Sequence, residues 1–409
     1  MVTANWAGNI VYSARSFHRP SSIPELQELV AGSDRVRAVG TGHSFNRIAD
    51  TDGDLVSVAG LPPRIDIDAD AGCVTVGAGM RFGEFVGALD DAGFALRNMG
   101  SLPHISVAGA CATGTHGSGE TNQVLGAYAR AIEIVGADGE LHTFRRGDDD
   151  FPGAVVSLGA LGIATAVTLD VVPAFGMRQW IYEGLRDLDA VDEALSGAYS
   201  VSAFTYWEGA GFEQVWIKVR DGDPAPEPGW LGTTPADGPR HMVRGVDPQH
   251  CTQQLGEPGP WQARLPHFRL EFTPSSGEEL QSEWFLPRAH ASAGLRALDD
   301  IRDTIASVLQ VCEVRTLAAD DLWISPAAGR DSVIFHFTWH DTPAVQPVVA
   351  AIESVLEPLE ARPHWGKVST MQPEAARTLW PRFGDWAQLA RKQDPAGKFR
   401  NPFLDAYLG

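Results

Sequence analysis

In the first half of the chain, the residues best suited to chemistry surround a single histidine. His43 directly follows Gly40, Thr41 and Gly42 and precedes Ser44. Glycines bring the main chain close to a ligand, and the exposed N–H groups of such a turn can bind a phosphate. The imidazole could then reach whatever that phosphate carries. The third glycine of a dinucleotide fingerprint is absent, so an ordinary glycine turn explains the pattern equally well.

A second glycine-rich run increases the weight of the ligand-binding interpretation. Residues 100–119 read GSLPHISVAGACATGTHGSG, and nearly every one of them is small, hydroxylated or histidine. Such a run cannot fill a core by bulk. It offers backbone N–H groups, hydroxyls and close approach to a ligand.

In the second half, polar residues alternate with apolar ones in two predicted strands. Glu313 and Arg315 are two residues apart, so a strand places both on one face. In the stretch 333–340, His336 and Thr338 face away from the apolar positions. These faces could line a hydroxyl-rich pocket, although an exposed strand pair is the more frequent arrangement for this pattern. Lys367 lies on a predicted turn after a helix, where a lone lysine is usually exposed to solvent.

These segments together resemble those of a flavoenzyme superfamily. GHSFN (residues 42–46), NMGSLPHIS (98–106) and ATGTHGSG (112–119) are similar to the FAD domain of the vanillyl-alcohol oxidase/p-cresol methylhydroxylase superfamily, and within it to the alditol oxidases and sugar-lactone oxidases. The likeness extends from Asn5 to Phe403. It implies an α+β, two-domain fold of the FAD-binding p-cresol methylhydroxylase type, whose substrate domain is an antiparallel sheet flanked by helices.

The resemblance also implies roles for individual residues. FAD would be attached covalently, from a nitrogen of His43 to the 8α-methyl of the flavin. Gly100 falls where this superfamily controls access of oxygen to the flavin, and its lack of a side chain favours an oxidase. The substrate-binding residues implied are Ser101, Glu313, Arg315, Thr338 and Lys367. The cofactor contacts implied are His43 itself, Gly40, Thr41, Gly42, Ser44, Ser101, Ser106, Gly109, Cys111, Ala112, Thr113, His116, Gly162 and Ile163.

The chemistry implied is transfer of a hydride from a carbinol carbon to flavin N5, with removal of the hydroxyl proton. Lys367 beside Arg315 would have its ammonium form disfavoured and could accept that proton. His336 is the alternative base. Arg315 could stabilise developing negative charge, while Glu313 and Thr338 could hold further hydroxyls.

The sequence therefore predicts FAD-dependent oxidation of the terminal primary alcohol of alditols such as xylitol or sorbitol, with reduction of O2 to hydrogen peroxide. A sugar-1,4-lactone oxidase of the same fold is the nearest alternative, since it shares the H-W-G-K motif. A non-redox sugar- or nucleotide-binding protein is a third. A metal enzyme is a weaker interpretation, because the spacing of the histidines matches no compact ligand motif; those histidines are His104, His116, His336 and His340.

Charge and composition restrict the partners of the protein. A formal net charge of −20 argues against nucleic acid and anionic membranes, both of which require clustered lysine and arginine. A neutral polyol and O2 fit better. Four isolated cysteines indicate a reducing compartment rather than a disulfide framework. With no signal peptide and no run of 18 apolar residues, the sequence predicts a cytoplasmic protein. A monomer is expected.

The elements that position these residues fall into two predicted domains, with residues 1–173 binding FAD and residues 174–369 binding substrate. The segment from about 370 to 409 could pack back onto the first domain. A Pro/Gly-rich excursion at 221–261 either covers the active site or is a plain surface loop. Predicted strands are 35–39, 55–58, 74–76, 132–135, 141–144, 162–170, 199–207 and 214–219, and predicted helices are 20–30, 82–89, 289–309 and 344–359.

Overall fold

The computed structural model describes residues 4–188, 190–224, 227–271 and 279–409. Short strands and helices make up its first part, without the regular crossovers of a doubly wound sheet, which confirms the α+β prediction. The strands are β1 (Ser16–His18), β2 (Val36–Ala38), β3 (Asp54–Val56), β4 (Ile65–Asp68), β5 (Cys73–Gly77), β6 (Phe94–Ala95), β7 (Ala129–Val135), β8 (Leu141–Arg145), β9 (Ile163–Asp170) and β10 (Val172–Pro173). The helices are α1 (Ile23–Gly32), α2 (Phe82–Asp91), α3 (Val107–Thr113) and α4 (Phe151–Val155).

A small parallel sheet fixes the position of the His43 turn. β3 lies between β1 and β2, and both pairs are parallel. The N–H of Val39 donates to the carbonyl of Val56 at 2.8 Å, which extends the β2–β3 pairing to the residue before the glycines. The strand predicted at 35–39 is confirmed, and its end sets the start of the turn.

The helix predicted over 20–30 is also confirmed, as α1. The hydroxyl of Ser22 accepts a hydrogen bond from the N–H of Glu25 at 3.3 Å and so caps the first turn. Leu26 and Val30 are fully buried. The spacing of the apolar residues therefore predicted the buried face of the helix correctly.

An antiparallel sheet of five strands, in the order β4-β5-β9-β7-β8, supports the rest of this region. β7 and β8 form the predicted hairpin, and Gly139 in its turn has φ of 81°. β9, the strand predicted at 162–170, pairs with both β5 and β7. It is therefore a central strand, and its first residues can reach a site on the face of the sheet.

The second region is a nine-stranded antiparallel sheet, as expected for the substrate side. Its order is β14-β11-β13-β12-β17-β18-β16-β19, with β15 also pairing with β11. β18 therefore lies between β17 and β16. The strands are β11 (Gly176–Leu185), β12 (Ser200–Thr205), β13 (Phe212–Arg220), β14 (Thr234–Pro235), β15 (Gly259–Pro260), β16 (Glu279–Pro287), β17 (Leu309–Leu317), β18 (Ser332–His340) and β19 (Arg362–Pro363).

Helices cover one face of this sheet, and one helix prediction is wrong. The stripe predicted as one helix over 289–309 is two helices with a bend at Ile301, whose N–H bonds to the carbonyl of Leu298. The bend lets the chain turn back and begin β17, and Leu298 and Ile305 stay buried on either side of it. The helices of this region are α5 (Ala190–Leu195), α6 (Ala291–Asp299), α7 (Arg302–Ala306) and α8 (Val345–Leu356).

The C-terminal segment contacts the first region. Its helices are α9 (Pro373–Leu379), α10 (Phe383–Gln393) and α11 (Pro402–Leu408). Trp380 and Trp386 are fully buried in the same apolar cluster as Phe151 of α4. The amide of Asn401 donates to the carbonyl of Asp50 at 2.7 Å. These contacts are those expected if the segment from about 370 to 409 packs back onto the first domain. The domain boundaries at 173 and 369 stay predictions.

Three further features bear on the class of protein. All four cysteines lie in the described ranges, where they are buried with free thiols. Within those ranges, no helix has the length and apolar character needed to cross a membrane. The same residues contain no group of three or more His, Cys, Asp or Glu side chains arranged to hold a metal ion.

Candidate active site

A cavity of about 530 Å³ lies between the glycine-rich segments of the first region and the polar face of the nine-stranded sheet. This volume is within the range of cofactor and small-molecule sites. Nearly all the predicted site residues line it. They are Gly40, Thr41, Gly42, His43, Ser44, Gly100, Ser101, Ser106, Gly109, Cys111, Ala112, Thr113, His116, Gly162, Glu313, Arg315, His336, Thr338 and Lys367.

Ile163 is the predicted contact whose side chain lies elsewhere. It is 1% exposed and packs with Leu26 and Phe399 in a separate apolar cluster. Because successive residues of a strand face opposite sides, Gly162 and Ala164 line the cavity while Ile163 points away from it. Only its main chain can contribute to the cavity wall.

Because the chain is closely packed behind the glycines of the first glycine-rich segment, main-chain atoms form this part of the cavity wall. A Cβ at Gly40 would lie 2.1 Å from the hydroxyl oxygen of Ser106, so only glycine permits this approach. Gly42 has φ of 75°, and a Cβ there would lie 3.2 Å from the backbone nitrogen of Trp6. The space behind both glycines is thus filled by protein, and their backbone faces the cavity.

His43 is held between a hydroxyl and an aromatic ring. Its Nδ1 lies 2.9 Å from Oγ1 of Thr41, and its ring stacks on Trp6 with centroids 5.0 Å apart and planes 21° from parallel. Burial, together with the nearby His104, lowers the pKa of His43 to about 4. The imidazole is therefore neutral near pH 7, which leaves a ring nitrogen with a lone pair able to act as a nucleophile.

At the polar end of the cavity, Glu283 on β16 binds three side chains. Its Oε1 lies 2.6 Å from Nη2 of Arg315 and 3.3 Å from Nε2 of His116, and its Oε2 lies 2.8 Å from Nζ of Lys367. Burial alone would raise the pKa of Glu283. The charges of Lys367, His116 and Arg315 reverse that effect and hold the pKa well below its ordinary value.

Lys367 lies inside the cavity, so the expectation of an exposed loop lysine is wrong. Its side chain is 14% exposed. The turn that carries it is bonded to β16, where the main-chain carbonyl of Glu283 accepts from the N–H of His364 at 2.9 Å. Asn46, just after the His43 turn, donates to the carbonyl of Lys367 at 2.9 Å. Burial lowers the pKa of Lys367, Glu283 opposes that shift and Arg315 adds to it.

β17 and β18 present the other predicted substrate residues. Glu313 and His336 are directly opposite each other, with 3.5 Å between Oε2 and Nδ1, and Nε of Arg315 lies 3.6 Å from the same oxygen. Glu313 and Arg315 are each 4% exposed and Thr338 is 8% exposed. The alternative of a solvent-exposed strand pair is therefore wrong. Burial, reinforced by Lys367, lowers the pKa of His336 to about 4.

The Pro/Gly-rich excursion forms part of the cavity wall. Met242, Val246 and Asp247 line the cavity. Residues 225 and 226 of the excursion lie outside the described residues. Of the two interpretations of this segment, its contribution to the cavity wall supports the covering role.

Sequence reasoning missed three side chains here: Glu283, His267 and Lys218. Glu283 carried a usable signal, because Leu280, Trp284 and Leu286 alternate with polar Gln281 and Glu283, the pattern of a half-buried strand. His267 bonds to Glu313, with Nε2 and Oε1 2.9 Å apart, and Lys218 bonds to His267. No motif marks either one.

Comparison with known proteins agrees with this geometry. A family model described as FAD binding domain matches residues 15–145, and one described as D-arabinono-1,4-lactone oxidase matches residues 277–407. The chain is 52% identical to the alditol oxidase of a Streptomyces strain, over 98% of this chain and 97% of that protein. It is 29% identical to the L-gulono-1,4-lactone dehydrogenase of Mycobacterium tuberculosis, over 100% of this chain and 99% of that protein.

Among solved structures, cholesterol oxidase from Brevibacterium sterolicum aligns with a TM-score of 0.76 at 13% identity, covering 99% of this chain and 96% of that one. At that identity the likeness shows the fold alone. The family models and the 52% identical relative define a FAD-binding oxidoreductase of the vanillyl-alcohol oxidase/p-cresol methylhydroxylase superfamily. Within that superfamily, the chain belongs to the alditol oxidase family. The predicted fold type is thereby confirmed.

Proposed function

We propose that the protein oxidises the terminal primary alcohol of alditols such as xylitol and sorbitol to the aldose and reduces O2 to hydrogen peroxide. The observation that carries the proposal is the buried polar wall at one end of the cavity. Glu313, Arg315, Thr338 and Lys367 converge there from two strands and a turn. A chain of hydroxyls would find donors and acceptors along this wall, and an analogue lacking a hydroxyl would leave one of them unpaired.

The opposite wall fits FAD. The glycines at 40 and 42 expose main chain to the cavity, and small residues of α3 continue that surface. Bound there, FAD supplies the acceptor for the hydride. We propose the contacts named above as those that hold it. The neutral imidazole of His43 supports covalent attachment at this residue.

Within this proposal, Lys367 removes the hydroxyl proton of the substrate at Nζ. Its lowered pKa increases the unprotonated fraction, while the Glu283 carboxylate holds Nζ in place at 2.8 Å. Arg315, held by the same carboxylate, stabilises negative charge on the substrate oxygen. His336 is a weaker base, because an imidazole with a pKa of about 4 has little affinity for a proton near neutral pH.

A lactone substrate is the second candidate, since the family model over residues 277–407 is described as a lactone oxidase. The higher identity to an alditol oxidase, 52% against 29%, favours alditols. The test is anaerobic mixing with xylitol, sorbitol or L-gulono-1,4-lactone while flavin absorbance is followed. Bleaching by the polyols supports the proposal. Bleaching by the lactone alone overturns it.

The remaining parts of the proposal concern partners and location. A neutral polyol and O2 are consistent with the net charge of −20, which disfavours polyanionic partners. We propose a cytoplasmic monomer. Light scattering of the purified protein would test the oligomeric state, with a mass near 44.0 kDa expected.

A further inference from the structure

Lys218 on β13 is a buried lysine with no place in the chemistry proposed so far. It is 1% exposed. Its Nζ donates to the carbonyls of Leu265 and Pro266, the latter at 3.2 Å, and lies 3.0 Å from Nδ1 of His267. An ammonium group has three N–H donors and no acceptor. Each of its three donors therefore has one acceptor here.

This arrangement fixes the tautomer of His267. While Lys218 is charged, its Nζ has no lone pair and can only donate, so Nδ1 of His267 accepts and the ring proton resides on Nε2. Burial lowers the pKa of Lys218 to about 7, so this arrangement belongs to pH values below 7. Nε2 lies 2.9 Å from Oε1 of Glu313 and so donates to that carboxylate. Burial and the charge of Lys218 lower the pKa of His267 to about 4, which keeps the ring neutral with a single N–H.

The contact with His267 leaves the two oxygens of Glu313 in different environments. Oε1 accepts from His267. Oε2 lies at the longer distances of 3.5 Å from Nδ1 of His336 and 3.6 Å from Nε of Arg315. Oε2 is therefore the oxygen with spare capacity to accept a hydrogen bond from a hydroxyl in the cavity.

The backbone around His267 is hydrogen-bonded to two other segments of the chain. Its N–H donates to the carbonyl of Ser101 at 3.0 Å, in the second glycine-rich segment. In the second segment, the hydroxyl of Thr252 donates to the carbonyl of Pro266 at 2.7 Å, and the N–H of Thr252 donates to the carbonyl of His267 at 2.8 Å. The imidazole therefore has little freedom to move away from Glu313.

We propose that Lys218 and His267 are positioning residues for Glu313. Lys218 sets the His267 tautomer, and His267 holds one carboxylate oxygen so that the other accepts a substrate hydroxyl. This inference rests on the proposed function, which makes Glu313 a substrate-binding residue. It assigns a role in substrate affinity to a lysine that lies outside the cavity wall.

The test compares steady-state kinetics with xylitol, at a pH below 7 where Lys218 is charged, in three single variants. Lys218→Met removes all three N–H donors and keeps a side chain of similar size. We expect it to raise KM about 10-fold with little change in kcat. His267→Gln keeps one donor and one acceptor, so a smaller rise is expected. Lys398→Met is the matched control, since Nζ of this half-buried lysine also donates to two carbonyls, those of Val30 and Ala31, away from the cavity, and its KM should not change.

A double variant separates positioning from a general structural role. If Lys218 acts through Glu313, Lys218→Met should raise KM no further in a Glu313→Gln background. Additive effects, or an unchanged KM in Lys218→Met with normal flavin content, would overturn the inference. Absence of polyol turnover in the wild type would instead reject the proposed function.

The nitrogen-15 chemical shifts of labelled histidines decide the inference in every case. The wild-type signal that is absent from His267→Gln is assigned to His267. Its chemical shifts should be those of the Nε2–H tautomer, and Lys218→Met should change them. A wild-type signal of the Nδ1–H tautomer would overturn the inference whatever the substrate.

Discussion

At the polar end of the cavity, charge is balanced around one carboxylate. Glu283 faces Lys367 and Arg315, and Nε2 of His116 lies 3.3 Å from the same carboxylate. Burying an isolated anion or cation would cost several kcal/mol of desolvation free energy, and the attraction between these opposite charges offsets that cost. Of the two cations, Lys367 is the one whose pKa falls, because its burial and Arg315 together outweigh Glu283. The unprotonated fraction of Lys367 is therefore larger than that of an exposed lysine at the same pH.

Lys367→Met should retain flavin and lose most of its reduction by polyol. In the wild type, the rate constant for flavin reduction should rise with pH, because only the unprotonated lysine accepts a proton. The midpoint of this rise should lie below the ordinary lysine pKa of 10.5. Losing the base should lower the rate constant about 100-fold or more and abolish this rise. Anaerobic rapid mixing over a range of pH measures both effects.

The matched control is Lys392→Met, a surface lysine 66% exposed and paired with Asp150. Its reduction rate and pH profile should equal those of the wild type. A normal rate in Lys367→Met would remove Lys367 from the mechanism and transfer the role of base to His336.

His43→Ala should lose covalent flavin. The wild-type protein precipitated with acid should stay yellow, because a bond to the imidazole survives denaturation, whereas the variant should release its colour into the supernatant. His142→Ala, at an exposed histidine 43% accessible to solvent, is the control and should behave as the wild type. Yellow His43→Ala precipitate would place the attachment at another residue.

These single residues differ in how far the sequence reveals them. His43, Glu313, Arg315 and Lys367 lie in motifs that resemble those of a known family, and the structure brings all four to one cavity. Lys218 comes from a strand with no motif. Its role depends on contacts with a segment almost fifty residues away, a separation at which sequence spacing gives no guide.

At the scale of elements, β16 completes the site. It pairs with β18 so that Glu283 lies opposite His336 and Gln281 opposite Thr338, which joins the polar faces of three neighbouring strands. The opposite face packs Trp284 and Leu286 against the helices. Register decides this division, since a shift by one residue would bury Trp284 in the cavity and move Glu283 into the core.

Glu283→Gln should destabilise the protein and alter its pH profile. Removal of the anion leaves Arg315 and Lys367 buried without their shared carboxylate, so the free energy of unfolding should fall by about 3 to 5 kcal/mol. Because Glu283 raises the pKa of Lys367, the midpoint of the reduction rate should move to lower pH. Denaturant unfolding and rapid mixing measure the two effects. A midpoint that moves upward would contradict this assignment of charges.

Elements were predictable where their signal is local. The capped helix α1 and the hairpin of β7 and β8 follow from a cap residue and from a turn dipeptide. The bend at Ile301 was not predictable, because the apolar stripe continues through it. Strand order was not predictable either, since β16 precedes β17 in sequence yet lies beyond β18 in the sheet.

At the scale of the whole molecule, the C-terminal segment joins the first region through a buried arginine. Nη1 of Arg37 donates to the carbonyls of Gly159 at 3.0 Å and Phe399 at 2.9 Å. Nη2 donates to those of Leu158 at 2.9 Å and Ile48. One guanidinium therefore satisfies buried carbonyls from three separate segments, one of them more than 360 residues away. Burial lowers the pKa of Arg37 to about 10, so it stays charged at neutral pH.

Arg37→Met should weaken this junction while keeping the length of the side chain. Four buried carbonyls would lose their donor, so the free energy of unfolding should fall by about 3 kcal/mol or more. Arg35→Met, two residues earlier, is the matched control, because Arg35 is 46% exposed and its distance to Asp52 is 3.6 Å; a surface pair of this kind contributes at most about 1 kcal/mol. Guanidinium chloride titrations followed by tryptophan fluorescence compare the two. Equal stability of both variants would show that Arg37 contributes little to this junction, which would then depend on the apolar packing of Trp380 and Trp386 and on the hydrogen bonds of Asn401.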